Sequence, residues 1–264
     1  MNATTPHVPY RLEFSVELPG TPEQVWKAIA TAPGLSAWFL PTELDEREGG
    51  AVHFSMGPDM GSDGQVAAWD PPRRLVYQED WAALMGQDPD ALSPLTSEFV
   101  VEARSGGTCV VKVTSSGFGT GAAWEAEWWD DMGASWMPQF DKLRLYLTHF
   151  AGRRATTMEA FATLPVAVEA LWPVLRESLA VGEEGAPVTV RGATGFVERI
   201  GDRHVLVRLT APVAGLLQAA AHAMGDGEAM AYVSAYLFSP DAADYVRREQ
   251  PGWEAWLSGL TVPA

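Results

Sequence analysis

The run TCVVKVTSSGFGTGAAWEAEWWDDMGASWMPQFDKLRLYLTHF, from Thr108 to Phe150, changes its hydrophobic period part-way along. Its first part alternates apolar and polar residues, as a half-buried strand does. From about Ala122 the spacing becomes three and four. Trp124, Trp128, Met132, Trp136, Phe140, Leu143 and Leu147 then fall on one broad face of a long helix. Pro138 lies inside that helix and is expected to kink it, because proline lacks an N–H and clashes with the preceding turn. The single cysteine, Cys109, falls in the alternating part and reads as a buried strand residue.

Upstream, Arg11 to Leu18 also alternates, with Leu12, Phe14, Val16 and Leu18 on one side. GTPEQVWKAIATAPG follows from Gly20. Thr21 and Gln24 have capping-box spacing, Pro22 suits a first helical turn, and Val25, Trp26 and Ile29 form a buried stripe. A second short helix is expected at LSAWF. Strands follow at Val52–Met56, at QVAAWD and at RRLVYQEDW, the last two joined across Asp70-Pro71-Pro72-Arg73. A polar loop spans roughly Ala82 to Pro94. SEFVVEAR and TCVVKVTS flank Ser105-Gly106-Gly107, a hairpin signal.

This order, and three motifs within it, resemble the START-like, or SRPBCC, superfamily. The nearest likeness is to the branch named for homologues of the heat-shock-protein-90 ATPase activator. TPEQVWKAIATAPGLSAWF is similar to that family's first helix pair, and DGQVAAWDPPRRLVYQEDW to its central hairpin. TSSGFGTGAAWEAEWWDDM is similar to its last strand and the start of its long helix. The resemblance covers about residues 10–150. It implies an α+β helix-grip fold over residues 1–152, an antiparallel sheet wrapped around the long C-terminal helix with a cavity between them. It also implies binding of small apolar molecules, or service as an interaction module.

Residues 153–264 form a smaller α+β domain. FATLPVAVEALW aligns with FSVELPGTPEQVW, pairing Leu18 with Leu164, Glu23 with Glu169 and Trp26 with Trp172. GFVERIGDRHVLVRL is loosely similar to the central hairpin, and the chain ends in a strand, AMAYVSAYLF, and a helix. A shortened START-like repeat is therefore expected, lacking the second short helix. Pro173 sits awkwardly in its first helix.

The net charge of −16 disfavours nucleic acid and anionic lipid surfaces. No stretch is long and apolar enough to span a membrane, so membrane insertion is not expected. MNATTPHVPYRLEF has no basic segment leading into an apolar run, so a cytoplasmic protein is expected and the sequon at Asn2 carries no weight. The five histidines are scattered and one cysteine builds no zinc site, so neither metal nor cofactor is expected. Gly117-x-Gly119-x-x-Ala122 satisfies a dinucleotide fingerprint by letter. It precedes the last helix of a hairpin-linked domain rather than opening a parallel unit, and is read as a turn into that helix.

Eleven tryptophans are the feature that points to function. Trp38, Phe54, Trp69, Trp81, Phe99, Trp124, Trp128, Met132 and Trp136 are the expected lining of an apolar site. His53, Glu79 and Glu125 are candidate polar groups within it. The strand RRLVYQEDW leaves open which alternate set faces inward. The expected activity is non-catalytic binding or sensing of a small hydrophobic molecule. The alternatives are a protein-interaction module, with a protein partner, and a cyclase, dehydratase or hydrolase using a carboxylate or histidine in the cavity.

Overall fold

The computed structural model describes residues 8–57, 60–87, 92–225 and 227–262. The sequon at Asn2, His7 and the centre of the loop after Ala82 lie outside them. The chain divides after Gly152 into two compact units.

The first unit begins with β1 (Val8–Pro19), followed by α1 (Pro22–Ala30) and α2 (Ala32–Leu35). Then come β2 (Thr42–Leu44), β3 (Ala51–Gly57), β4 (Met60–Asp70) and β5 (Arg74–Glu79). A short α3 (Trp81–Leu84) precedes β6 (Leu95–Ala103), β7 (Thr108–Gly119) and α4 (Ala123–His149). The strands form one antiparallel sheet ordered β1-β7-β6-β5-β4-β3-β2. Helix α4 lies across one face of it, against β1, where Phe14 meets Phe140 with ring centroids 5.5 Å apart.

Local chemistry sets these elements. At α1, the Thr21 hydroxyl accepts from the Gln24 N–H (3.3 Å) while the Gln24 side chain accepts from the Thr21 N–H (2.9 Å), which satisfies two donors that a helix start leaves free. The helix then buries Val25, Trp26 and Ile29. At the β4–β5 turn, Asp70 accepts from the Arg73 backbone (2.7 Å) and from its guanidinium (3.1 Å). The β6–β7 hairpin turns through Gly106 and Gly107, both at positive φ. Alternation sorts the two faces. Val16, Leu75, Phe99, Val101, Val111 and Val113 are buried on the helix side. The other side carries ion pairs such as Arg74–Glu98 and Lys112–Glu102, each at 2.6 Å. Cys109 is buried on the inner side.

In α4, Pro138 is buried within a 27-residue helix and does not end it. The apolar face differs from the expected one in its first half. Trp129 and Glu125 are buried there, while Trp124, Trp128 and Met132 are half-buried on the flank. That flank packs against Trp81 of α3 rather than on the sheet. Two adjacent tryptophans, Trp128 and Trp129, leave the helical phase ambiguous in sequence, and the neighbour that decides it is a short helix that spacing does not reveal.

The second unit has β8 (Thr156–Leu164), α5 (Val168–Ser178), β9 (Pro187–Val190), β10 (Ala193–Ile200), β11 (His204–Ala211), β12 (Gly215–Gly225), β13 (Glu228–Leu237) and α6 (Ala242–Ser258). Its sheet runs β8-β13-β12-β11-β10-β9. This is the topology of the first unit without counterparts of β2, α2 and α3. The first strand again pairs with the last, and the rest meander. Trp26 and Trp172 are both buried on the helix that follows the first strand. Pro173 is exposed within α5 and does not break it. The helix-facing side of this sheet is built from small and branched apolar residues, including Ala160, Ala162, Ala219, Ala221, Ala231 and Val233. Leu171, Trp172, Leu175, Trp253 and Leu257 fill it from the helices. Among the described residues no helix is long and apolar enough to cross a membrane, and no cluster of three or more His, Cys, Asp and Glu is placed to hold a metal.

Candidate functional site: a buried polar row between aromatic walls

The inner face of the first sheet changes character under the first half of α4. Counting in steps of two from Leu75, Phe99 and Val113, the same face receives Tyr77 and Glu79 of β5, Ser97 of β6 and Ser115 of β7. Tyr77 pairs with Ser97, and Ser97 with Ser115, so these side chains form a row across three neighbouring strands. Ser62 of β4 also faces inward, opposite Phe54 and beside Glu79 rather than in the row itself, where Val66 is the β4 partner of Tyr77. All are buried; Glu79 keeps 9% of its exposure and Ser115 none.

Among the described residues the Ser115 hydroxyl and the Trp129 indole N–H have no hydrogen-bond partner. Burial pushes the Glu79 carboxyl up to about 7, and the nearby Ser62 hydroxyl pulls weakly the other way. Burial, and then the charge of Glu79, hold the Tyr77 phenol well above its ordinary value.

Aromatic rings stand on both sides. Toward the start of α4, Trp81 stacks on Trp128 (4.6 Å) and meets Trp124 (6.2 Å) and Trp129 (6.1 Å), while Tyr10 stacks on Trp129 (5.4 Å). On the other side Phe54, Tyr77 and Phe99 form a chain (5.3 and 5.9 Å). Phe99 abuts Trp136 (6.0 Å), which stacks on Phe39 (5.6 Å) and Phe140 (5.3 Å). The arrangement offers an apolar guest flat surfaces and a few hydrogen-bonding groups.

The entry to α4 explains the glycine run. Glu125 accepts hydrogen bonds from the Thr120 N–H (2.9 Å), the Thr120 hydroxyl (2.6 Å) and the Gly121 N–H (2.9 Å). Burial pushes its carboxyl up, but these bonds, with one from Tyr10, outweigh it, and the net shift is downward. A Cβ on Gly119 would stand 2.1 Å from that carboxylate, and one on Gly117 3.4 Å from the Trp129 ring. Only Gly121, at φ +85, is needed for the turn itself. Gly119 thus makes room for Glu125, while Gly121 bends the chain.

With this geometry in view, the comparison with known families is decisive for the first unit. The family model described as Activator of Hsp90 ATPase homolog 1-like protein matches residues 19–148. The first unit matches that family's model over most of its length. No curated protein matches the chain. Among solved structures it is similar to protein MLL2253 from Mesorhizobium loti, at 20% identity and TM-score 0.47, over 53% of this chain and 98% of that one. It is also similar to DynU16 of the dynemicin biosynthetic locus (15% identity, TM-score 0.43, 95% of this chain and 96% of that one). A third is BexL, a di-domain ARO/CYC from the BE-7585A biosynthetic pathway (10% identity, TM-score 0.42, 94% and 96%).

Within this activator-homologue-like unit, the residues expected to line a site separate into two groups. Phe54, Phe99 and Trp136 stand on one side of the polar row, and Trp81, Trp124, Trp128 and Met132 on the other, with Glu79 on the same face between them. The remaining ones lie elsewhere. Trp38 is fully buried and spends its indole N–H on the Ala28 carbonyl (3.0 Å), fixing α2 to α1. Trp69 packs edge-on to Trp26 of α1 (5.2 Å). His53 is on the outer face, half-buried, with Asp63 at 2.8 Å, because Phe54 takes the inward position of β3. Glu125 is occupied in holding the start of α4. Sequence reasoning missed Ser62, Tyr77, Ser97 and Ser115. The signal for three of them was present, since Tyr77, Ser97 and Ser115 sit two residues from Leu75, Phe99 and Val113. Serines in a strand read as neutral until the facing is known.

Proposed function

We propose that the first unit binds one small, mostly apolar molecule on the inner face of its sheet, beneath the first half of α4, as a carrier or sensor. The observation that carries this reading is the buried polar face of Tyr77, Glu79, Ser97 and Ser115, with the unpaired Ser115 hydroxyl and Trp129 indole N–H, between aromatic walls. The walls supply attraction by burying apolar surface, at roughly 25 cal/mol per Å², less the cost of ordering the guest. The polar row fixes its orientation. Comparing native with denaturing mass spectrometry of the gently purified full chain tests this. A stoichiometric adduct released on denaturation supports it. No adduct, together with unchanged tryptophan fluorescence across a panel of apolar compounds, speaks for a protein-interaction role instead.

A second reading has one observation in its favour. A buried carboxyl that titrates at about 7 is suited to acid–base chemistry on a bound molecule. It requires that a bound compound be recovered chemically altered, and unaltered in Glu79→Gln.

A further inference from the structure

We propose that the open edge of the second unit's sheet, at β9, docks one short extended peptide segment of a partner protein, uncharged and bearing a large apolar side chain, in the place that β2 fills in the first unit. The proposal is independent of the ligand site of the first unit. There, β3 is covered by β2, which pairs Thr42 with Phe54, Glu43 with His53 and Leu44 with Val52. The Ser55 N–H donates to the Pro41 carbonyl and the Asp45 N–H to the Ala51 carbonyl, each at 2.9 Å, which extends the ladder at both ends. In the second unit the strand in the same position is β9, and among the described residues it pairs only with β10. Arg191 and Gly192 make the two-residue turn between them, both at positive φ. The pair that closes such a turn, Val190 and Ala193, exchanges both backbone hydrogen bonds, and so does every second pair after it. That pattern continues through Val188 and Gly195 to Val197, whose N–H reaches the Ala186 carbonyl at 3.0 Å. Thr189 and Pro187 fall between, so their backbone groups turn to the open edge. Proline has no N–H, so the edge offers the Thr189 N–H and C=O and the Pro187 C=O. Four residues entered by a proline template one short segment rather than open-ended pairing.

A groove of about 430 Å³ runs in from this edge, lined by Pro187 and Thr189 of β9, Thr194 and Phe196 of β10, and Thr210 of β11. A bulge shapes it. Thr194 pairs with Ala211 and Gly195 with Leu209, which leaves Thr210 without a partner in the register and draws β10 against β11. A Cβ on Gly195 would stand 2.2 Å from the Arg208 carbonyl oxygen, so only glycine fits there. Pro187 and Phe196, the latter 40% exposed, form an apolar wall, and the threonines form the other. Residues of an added strand opposite Thr189 and Pro187 project their side chains onto this same face, one beside each wall. The cations around the groove are engaged. Arg208 pairs with Glu198 (2.6 Å) and lies over the Phe196 ring (5.2 Å), and Arg199 pairs with Glu184 (3.6 Å). Arg191 lies over Trp253 (5.2 Å) and Trp256 (5.7 Å). An uncharged segment therefore complements the groove, whereas a charged side chain entering it would lose hydration without gaining a partner.

The test is titration of the capped peptide acetyl-Gly-Thr-Val-Phe-Gly-amide into the isotope-labelled full chain, read from backbone amide shifts in NMR spectra. Run antiparallel to β9, its threonine stands opposite Thr189 and its phenylalanine opposite Pro187. Saturable shifts at Thr189, Thr194 and Phe196 are expected. The same peptide N-methylated at its threonine cannot donate to the Thr189 carbonyl and should bind at least about tenfold more weakly. Thr189→Pro removes the matching donor from the protein while leaving the bonds between β9 and β10, and should weaken binding of the unmethylated peptide at least about tenfold. Phe196→Ala keeps the edge and removes the apolar wall. It should weaken binding to a similar degree, and it decides the matter if Thr189→Pro does not fold. Absence of shifts at these residues, equal affinity for the N-methylated peptide, or unchanged affinity in Phe196→Ala would overturn the proposal. Thr189 shifts that grow with protein concentration alone would also overturn it, by placing a second copy of the chain on this edge.

Discussion

Two buried glutamates in the first unit show how neighbours decide what a carboxyl does. Glu125 meets backbone and hydroxyl donors and is held ionised. Glu79 meets mainly apolar surface and resists ionisation. The signs of their linkage to stability are opposite. A folded-state value below the unfolded one gives stability that is present above the unfolded value and lost as pH falls through the folded one, so Glu125 supports the fold at neutral pH. Glu125→Ala should cost about 2–4 kcal/mol at pH 7, because charge-assisted bonds are lost and two N–H groups lose their acceptor. A lower urea midpoint with an unchanged slope reports it. For Glu79 the folded protein binds the extra proton between about 4.5 and about 7, so stability declines across that window as pH rises and is level above it. Glu79→Gln should be more stable than the parent at pH 8 by up to about 3 kcal/mol and nearly equal at pH 4.5. A constant difference at both values in urea titrations would contradict this. In sequence the two residues look alike. Distinguishing them required the facing of RRLVYQEDW, which alternation alone leaves two-fold ambiguous.

At the level of elements, the sequence carried most of the architecture. The capping box at Thr21, the Asp70–Arg73 turn and the Gly106–Gly107 hairpin are local, and local chemistry determines them. The long helix was also legible, but its face was not. Seven apolar positions at spacings of three and four define a stripe, yet the first half of α4 has two surfaces to satisfy, the sheet and α3. Trp129 takes the sheet and Trp128 takes Trp81. Trp128 is only half-buried, so Trp128→Ala should cost less than the ~3–5 kcal/mol of a fully buried tryptophan. It should weaken binding of an apolar probe at least tenfold, by removing part of one aromatic wall, as fluorescence titration beside thermal unfolding would show. Trp81→Ala should incur the full folding cost, since its indole is buried and bonded to the Ser93 carbonyl (2.5 Å). Gly119→Ala should cost no more than Glu125→Ala, because the new methyl would displace the Glu125 carboxylate from its Thr120 and Gly121 donors.

For the whole molecule, the chain repeats one topology and gives the copies different interiors. The first sheet carries a polar row toward its long helix. The second carries alanines and valines there, filled from α5 and α6 by leucine and tryptophan. The repeat was readable in the order of elements more than in the few matching residues, because topology survives substitutions that erase identity. The difference between the interiors was not readable, since it depends on which alternate residues face the helices. Binding should therefore saturate at one equivalent per chain, not two. The most direct test is calorimetric titration of 2-acetylnaphthalene into the full-length protein and into the variant Ser115→Ala. The Ser115 hydroxyl makes no hydrogen bond within the described residues, so removing it should not lower the thermal midpoint. The expected result is 1:1 binding to the parent and at least tenfold weaker binding to an equally stable variant. Absence of binding to the parent, or equal affinity in both, would contradict a ligand site on this face.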